Sequence, residues 1–135
     1  MGVRVKDLKG MTEELIAALT ARGIRTSDQM LEATRQPKQR KELAILSGTD
    51  PRALLELANR ADLARVKGVG GVYSDLLEKA GVDTVKELAT RRPDNLYTRI
   101  LETNSREQLT RQPPTAALVE SWVEQARELP KLLTY

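Results

Sequence analysis

The chain contains no cysteine and no histidine. The first absence removes a disulfide framework and every thiolate metal site. The second removes the commonest general base and the commonest metal ligand together. Phenylalanine is also missing and aromatic residues make up only 3% of the sequence, so a core has to be assembled from Leu, Val, Ile and Ala. That palette, with few β-branched or aromatic alternating runs, favours packed helices over a sheet sandwich. No apolar stretch approaches bilayer-spanning length and no signal-peptide pattern opens the sequence, so a cytoplasmic protein without membrane contact is expected.

What is present describes a folded class. Of 135 residues, 40% are hydrophobic and 30% charged, too apolar for a disordered tail. The length suits one domain, or two small units fused through a shared core. The net charge is +3, and dividing the chain after Leu63 leaves 11 basic and 9 acidic residues before the cut, 11 and 10 after it. Neither half is a basic arm, so affinity for nucleic acid would have to come from local placement.

The most informative stretch runs from Val66 to Leu77, with Gly68, Gly70 and Gly71 in its first half. Two glycines around one apolar residue make a tight turn that brings backbone close to something else. Val69, Val72, Tyr73, Leu76 and Leu77 follow at helical spacing, and Gly81 stands where a helix ends. A turn opening directly into a helix points backbone N–H groups outward, which suits an anion. The same register occurs 58 positions earlier. Gly10 matches Gly68, Leu19 matches Leu77, Gly23 matches Gly81, Ile24 matches Val82 and Met30 matches Leu88. Thr26 with Gln29, and Thr84 with Glu87, have capping-box spacing and predict a second helix in each copy. A helix pair with a glycine turn and a capped restart, found twice, argues for duplication.

Longer helices follow each pair. Residues 37–47 read as a helix carrying Leu43 and Leu46 inward, and Asp50-Pro51 starts another with Leu54, Leu57, Ala58 and Ala61 on one face. Arg92-Pro93-Asp94 opens a helix with Leu96, Tyr97, Ile100 and Leu101 inward. Ser105 to Gln108 has the spacing of a further capping box for a short turn. Pro113-Pro114-Thr115 begins the last helix, whose inward side is Leu118, Val119, Trp122, Val123 and Ala126. The expected fold is all-α, about eight or nine helices in two tandem units, 1–63 and 64–135, packed as one compact domain.

Residues Val66 to Leu77 resemble a helix-hairpin-helix motif, and the two-unit pattern resembles a bacterial family of unassigned function over nearly the whole chain. The resemblance implies sequence-nonspecific binding of DNA, with hairpin amides on phosphate and basic side chains beside them. By position the contacts would be Gly68, Val69, Gly70 and Gly71, helped by Lys67 and Arg65. Many DNA-binding members carry Lys or Arg just after the second glycine, where this chain has Gly71 and Val72, and Asp75 follows in the same helix. In the first copy Thr12 replaces the second glycine and Glu13 and Glu14 come next. Those carboxylates answer the helix dipole themselves, so that hairpin reads as structural.

The run Arg35, Lys38, Arg40, Lys41 holds four cations with no acid between Glu32 and Glu42. It reads either as added phosphate contacts, each steepening the salt dependence of binding, or as a solvated helix face. Arg91, Arg92 and Arg99 complement a helix end. Trp122 reads as core, and exposed aromatics for stacking single-stranded bases are absent. Catalysis would need paired carboxylates or an activated lysine, and no such site is legible. No catalytic residue, cofactor or dedicated metal ligand is expected. Two readings follow: binding of DNA backbone at the second hairpin, or a helical protein-interaction module that keeps the fold without nucleic acid.

Overall fold

The computed structural model describes residues 2–135. After a 3-10 turn at Val5–Asp7 come eight helices: α1 (Glu13–Ala21), α2 (Ser27–Ala33), α3 (Pro37–Ser47), α4 (Pro51–Leu63), α5 (Gly71–Lys79), α6 (Val85–Leu88), α7 (Pro93–Glu107) and α8 (Ala116–Glu128). The described residues form no strand; one isolated bridge joins Arg4 and Thr26. The all-α expectation therefore holds, and most starts lie where capping chemistry places them. The side chains of Thr12, Thr26, Asp50, Thr84 and Thr115 each accept the N–H three residues on. Thr26 and Gln29 complete both arms of a capping box. Thr84 and Glu87 form only one arm, because the Glu87 carboxylate turns to Arg91 at 2.9 Å.

The register of 58 residues is also a register of backbone hydrogen bonds. Leu8 N–H donates to the Val5 carbonyl at 3.1 Å, and Val66 to Leu63 at 3.1 Å. Ile24 donates to Leu19 at 2.9 Å, and Val82 to Leu77 at 2.8 Å. The glycines agree: φ is +95° at Gly10 and +94° at Gly68, +79° at Gly23 and +96° at Gly81. These left-handed values are why the turns carry glycine. One tie is rebuilt with different chemistry. In the first copy the Val3 carbonyl takes the Ser27 N–H at 2.7 Å, whereas in the second the Asp62 carboxylate takes the Val85 N–H at 2.8 Å.

The aliphatic side chains collect into two buried clusters. One is built from Val5, Leu8, Leu15, Leu19, Met30, Leu31 and Leu54 with their neighbours. The other contains Leu63, Val66, Leu76, Leu77, Val82, Leu88, Ile100, Val119 and Trp122. Helix α4 serves both, with Ala61 in the first and Leu63 in the second. Trp122 is core, as its spacing predicts, with Tyr73 tilted against it at 5.3 Å between ring centroids.

Several expectations are corrected. Leu46, Leu118 and Val72 are exposed, at 60%, 39% and 38%, because the packed faces of their helices centre on Leu43, Val119 and Leu76. Tyr73, Tyr97 and Leu101 are only half-buried. Ser105 to Gln108 starts no new turn. α7 runs through to Glu107 and ends at Gln108, whose φ of +52° forms a left-handed cap. Asn104 then holds the exit, its side chain accepting the N–H groups of Leu109 and Thr110.

Candidate nucleic-acid interface

The second hairpin spans the link between Leu63 and α5. Gln125 of α8 fixes it from one side, its Oε1 accepting the Lys67 N–H at 2.8 Å and its Nε2 donating to the Lys67 carbonyl at 3.2 Å. The Val69 N–H returns to the Val66 carbonyl at 3.1 Å. Of the amides from Lys67 to Gly71, those of Lys67 and Val69 are therefore engaged within the fold. The glycines have packing reasons as well. A Cβ at Gly71 would land on the backbone carbonyl of Asp7, and one at Gly68 would stand 3.1 Å from the Trp122 indole nitrogen. Gly70 faces open space by comparison, its nearest atom being a methyl carbon of Val3 at 3.9 Å.

The start of α5 is what distinguishes this hairpin from its copy. Its first intrahelical bond is Ser74 N–H on the Gly70 carbonyl, so the N–H groups of residues 71–73 precede the helical ladder. At the equivalent place in α1, Thr12 Oγ1 accepts the Leu15 N–H and Glu13 and Glu14 fill the first turn. In α5 the cap is Gly70, which has no side chain, and the first turn carries no acid. Among the eight described helices α5 alone has neither a side-chain cap, nor proline at its first position, nor an acid in its first turn. Asp75, the carboxylate that follows in this helix, is buried. It accepts Arg60 Nη2 at 3.2 Å, and Glu78 accepts the same nitrogen at 3.0 Å.

The predicted basic partners separate. Lys67 is exposed at the turn, and Lys38 and Lys41 are exposed on α3. Arg65 is not a free cation. Its guanidinium holds Asp62 through Nε and Nη2 and keeps about 10% of its side-chain surface. Arg40 is a clear departure, because it is 4% exposed rather than on a solvated face. Its Nη1 donates to the carbonyls of Thr34 and Arg35, and its Nη2 to that of Thr134 at 2.6 Å. Burial pulls its pKa below the usual guanidinium value, the Tyr135 phenol opposing that shift. Local sequence does not signal the full set, since the acceptor of Nη2 lies 94 residues away.

A cleft of about 320 Å³ lies between the first hairpin and the α3–α4 turn, lined by Gly10, Thr12, Glu14, Ser47, Glu56 and Arg60 among others. No group of three or more acidic side chains among the described residues is placed to hold a metal ion. No helix is long and apolar enough to cross a membrane. A family model described as Domain of unknown function (DUF4332) matches residues 9–129. The chain belongs to this family. All eight helices of the DUF4332 domain lie within the matched span, whereas Val5 and Leu8 of the first buried cluster precede it. Comparison with curated proteins and with solved structures gave no match.

Proposed function

We propose that the DUF4332 domain is a non-catalytic binder of nucleic-acid backbone, gripping phosphate at the start of α5 with Lys67 beside it. The observation that carries this reading is the bare first turn of α5 next to its capped counterpart. Thr12, Glu13 and Glu14 occupy the places that Gly70, Gly71 and Val72 hold in the second copy. Unpaired N–H groups and the positive end of the helix dipole attract an anion, and a neighbouring lysine adds charge. Such contacts read no base, so the affinity is sequence-nonspecific. The likeness of Val66 to Leu77 to a helix-hairpin-helix motif agrees with this, as does a division into units 1–63 and 64–135.

The test is a titration of labelled duplex and single-stranded DNA at low and moderate salt. The native chain binds with an affinity that falls as salt rises. Lys67→Glu weakens binding and flattens the slope of log K against log salt by about 1, the contribution of one phosphate contact. A native chain with no salt-dependent binding overturns the reading.

A second reading, a protein-interaction module, is favoured by one patch. Ile45 and Leu46 stand adjacent on α3 at 82% and 60% exposure, the two most exposed large aliphatic side chains among the described residues. Association through this patch shows as concentration-dependent sedimentation that Ile45→Lys abolishes; sedimentation unaffected by the substitution removes the reading.

A further inference from the structure

Residues 130–135 follow α8, lie beyond the span matched by the family and have no regular secondary structure. They cross back to the first half of the chain. Thr134 donates its N–H to the Arg35 carbonyl at 2.8 Å, and Leu132 and Leu133 rest half-buried against the first cluster. The main-chain oxygens of this segment face cations. The Thr134 carbonyl accepts Arg40 Nη2 at 2.6 Å, and the Leu132 carbonyl accepts Arg35 Nε at 3.4 Å. The Tyr135 ring covers Arg40, with 6.0 Å between the guanidinium carbon and the ring centroid.

We infer that residues 130–135 are a displaceable strap over a cationic surface, and that release exposes the Arg40 guanidinium beside Lys38 and Lys41 for a nucleic-acid backbone. Carbonyl oxygens on the strap stand where phosphate oxygens would bind. The side chains of the strap bring no carboxylate, only Lys131; Arg35 Nη1 already pairs with Glu32 at 3.0 Å and stays partly in water, so Arg40 is the cation that the strap covers. Its hold is slight for a tertiary contact: two half-buried leucines, a few hydrogen bonds and a terminal ring that is 65% exposed. Segments with so little buried surface open locally at a fraction of the global unfolding free energy. The inference rests on the proposed binding of nucleic-acid backbone by this domain, not on the α5 site itself, and adds its regulation.

The experiment compares the native chain with a strap-released variant, Leu132→Ser, Leu133→Ser and Thr134→Pro together. Proline removes the N–H that Arg35 accepts. Trypsin cleavage after Lys131 reports release, and circular dichroism reports helicity. The released variant is expected to cut faster, keep its helices and bind duplex DNA roughly ten-fold tighter at low salt. Its salt slope steepens by about 1, for the uncovered Arg40. Adding Arg40→Gln returns both values to native. A released, helical variant with native affinity and slope overturns the inference, as does a gain that survives the glutamine. Should the triple variant lose helicity, Thr134→Pro alone carries the same comparison. If only the released variant binds, the strap stands and the α5 reading falls. If the native chain binds through Lys67 and release adds nothing, the strap falls and the α5 reading stands. Neither binding overturns both.

Discussion

Glycine at position 71 is held by a carbonyl. The left-handed turn residue of the hairpin is Gly68, with φ of +94°; Gly71 is the first residue of α5 and carries no positive φ. Its missing Cβ makes room for the Asp7 carbonyl, so the segment before the first hairpin packs onto the second. Gly71→Ala is therefore expected to destabilise the chain by about 1–3 kcal/mol, the usual cost of forcing extra volume into a packed site. Gly70→Ala, with nothing closer than 3.9 Å, should cost well under that. Urea unfolding of the two variants checks the contrast, and equal midpoints would remove the argument. The sequence indicates that these glycines allow a close approach, but not to what, because the partner is a turn some sixty residues earlier. Arg40 teaches the same lesson with charge. A run of four cations reads as phosphate contacts or a solvated face, whereas the carbonyls of Thr34 and Arg35 and the path of residues 130–135 hold one of them inward.

At the scale of the element, what the sequence discloses is how each helix begins. Thr26, Asp50, Thr84 and Thr115 mark starts by side-chain chemistry acting over three residues, so local sequence suffices to find them. Helix ends and faces were less legible. The cap at Gln108 requires a non-glycine residue at positive φ, and the turn after α7 is set by Asn104 rather than by the local pattern. The start of α5 is the opposite case, since its meaning lies in a cap that is missing. Gly70→Asp supplies one. An aspartate there accepts the Tyr73 N–H and meets the positive helix end, so stability is expected to rise by about a few tenths of a kcal/mol. The same carboxylate occupies the proposed phosphate position and repels the ligand, so DNA affinity should fall while the melting temperature holds or rises. A variant that is stabilised yet binds as before would place the anion elsewhere. Ordinary damage to the fold would instead lower both quantities together, which separates the two outcomes in one pair of measurements.

At the scale of the molecule, the two buried clusters are joined by several unlike ties. Helix α4 runs from one into the other, Arg60 on it holds Asp75 and Glu78 on α5, Asp7 backs Gly71, and residues 130–135 return from the second half to the first. The Arg60 pairs are largely removed from water, with about 10% of its side-chain surface exposed and 12% and 31% for its partners. Losing one side of such an arrangement leaves charge buried without compensation. These ties predict one cooperative unfolding transition, although the 58-residue repeat and the separate clusters would permit two. The chain carries its own reporter, because its single tryptophan, Trp122, is buried in the second cluster and the first contains none. In urea, Trp122 fluorescence follows one half while far-ultraviolet circular dichroism follows both. Coincident midpoints and slopes are expected for the native chain. Arg60→Met removes the charge that bridges α4 and α5 and leaves Asp75 and Glu78 without it, so the fluorescence midpoint should move below the dichroism midpoint as the second half opens first. Non-coincident curves in the native chain would show that α4 passes between two independently stable halves rather than coupling them.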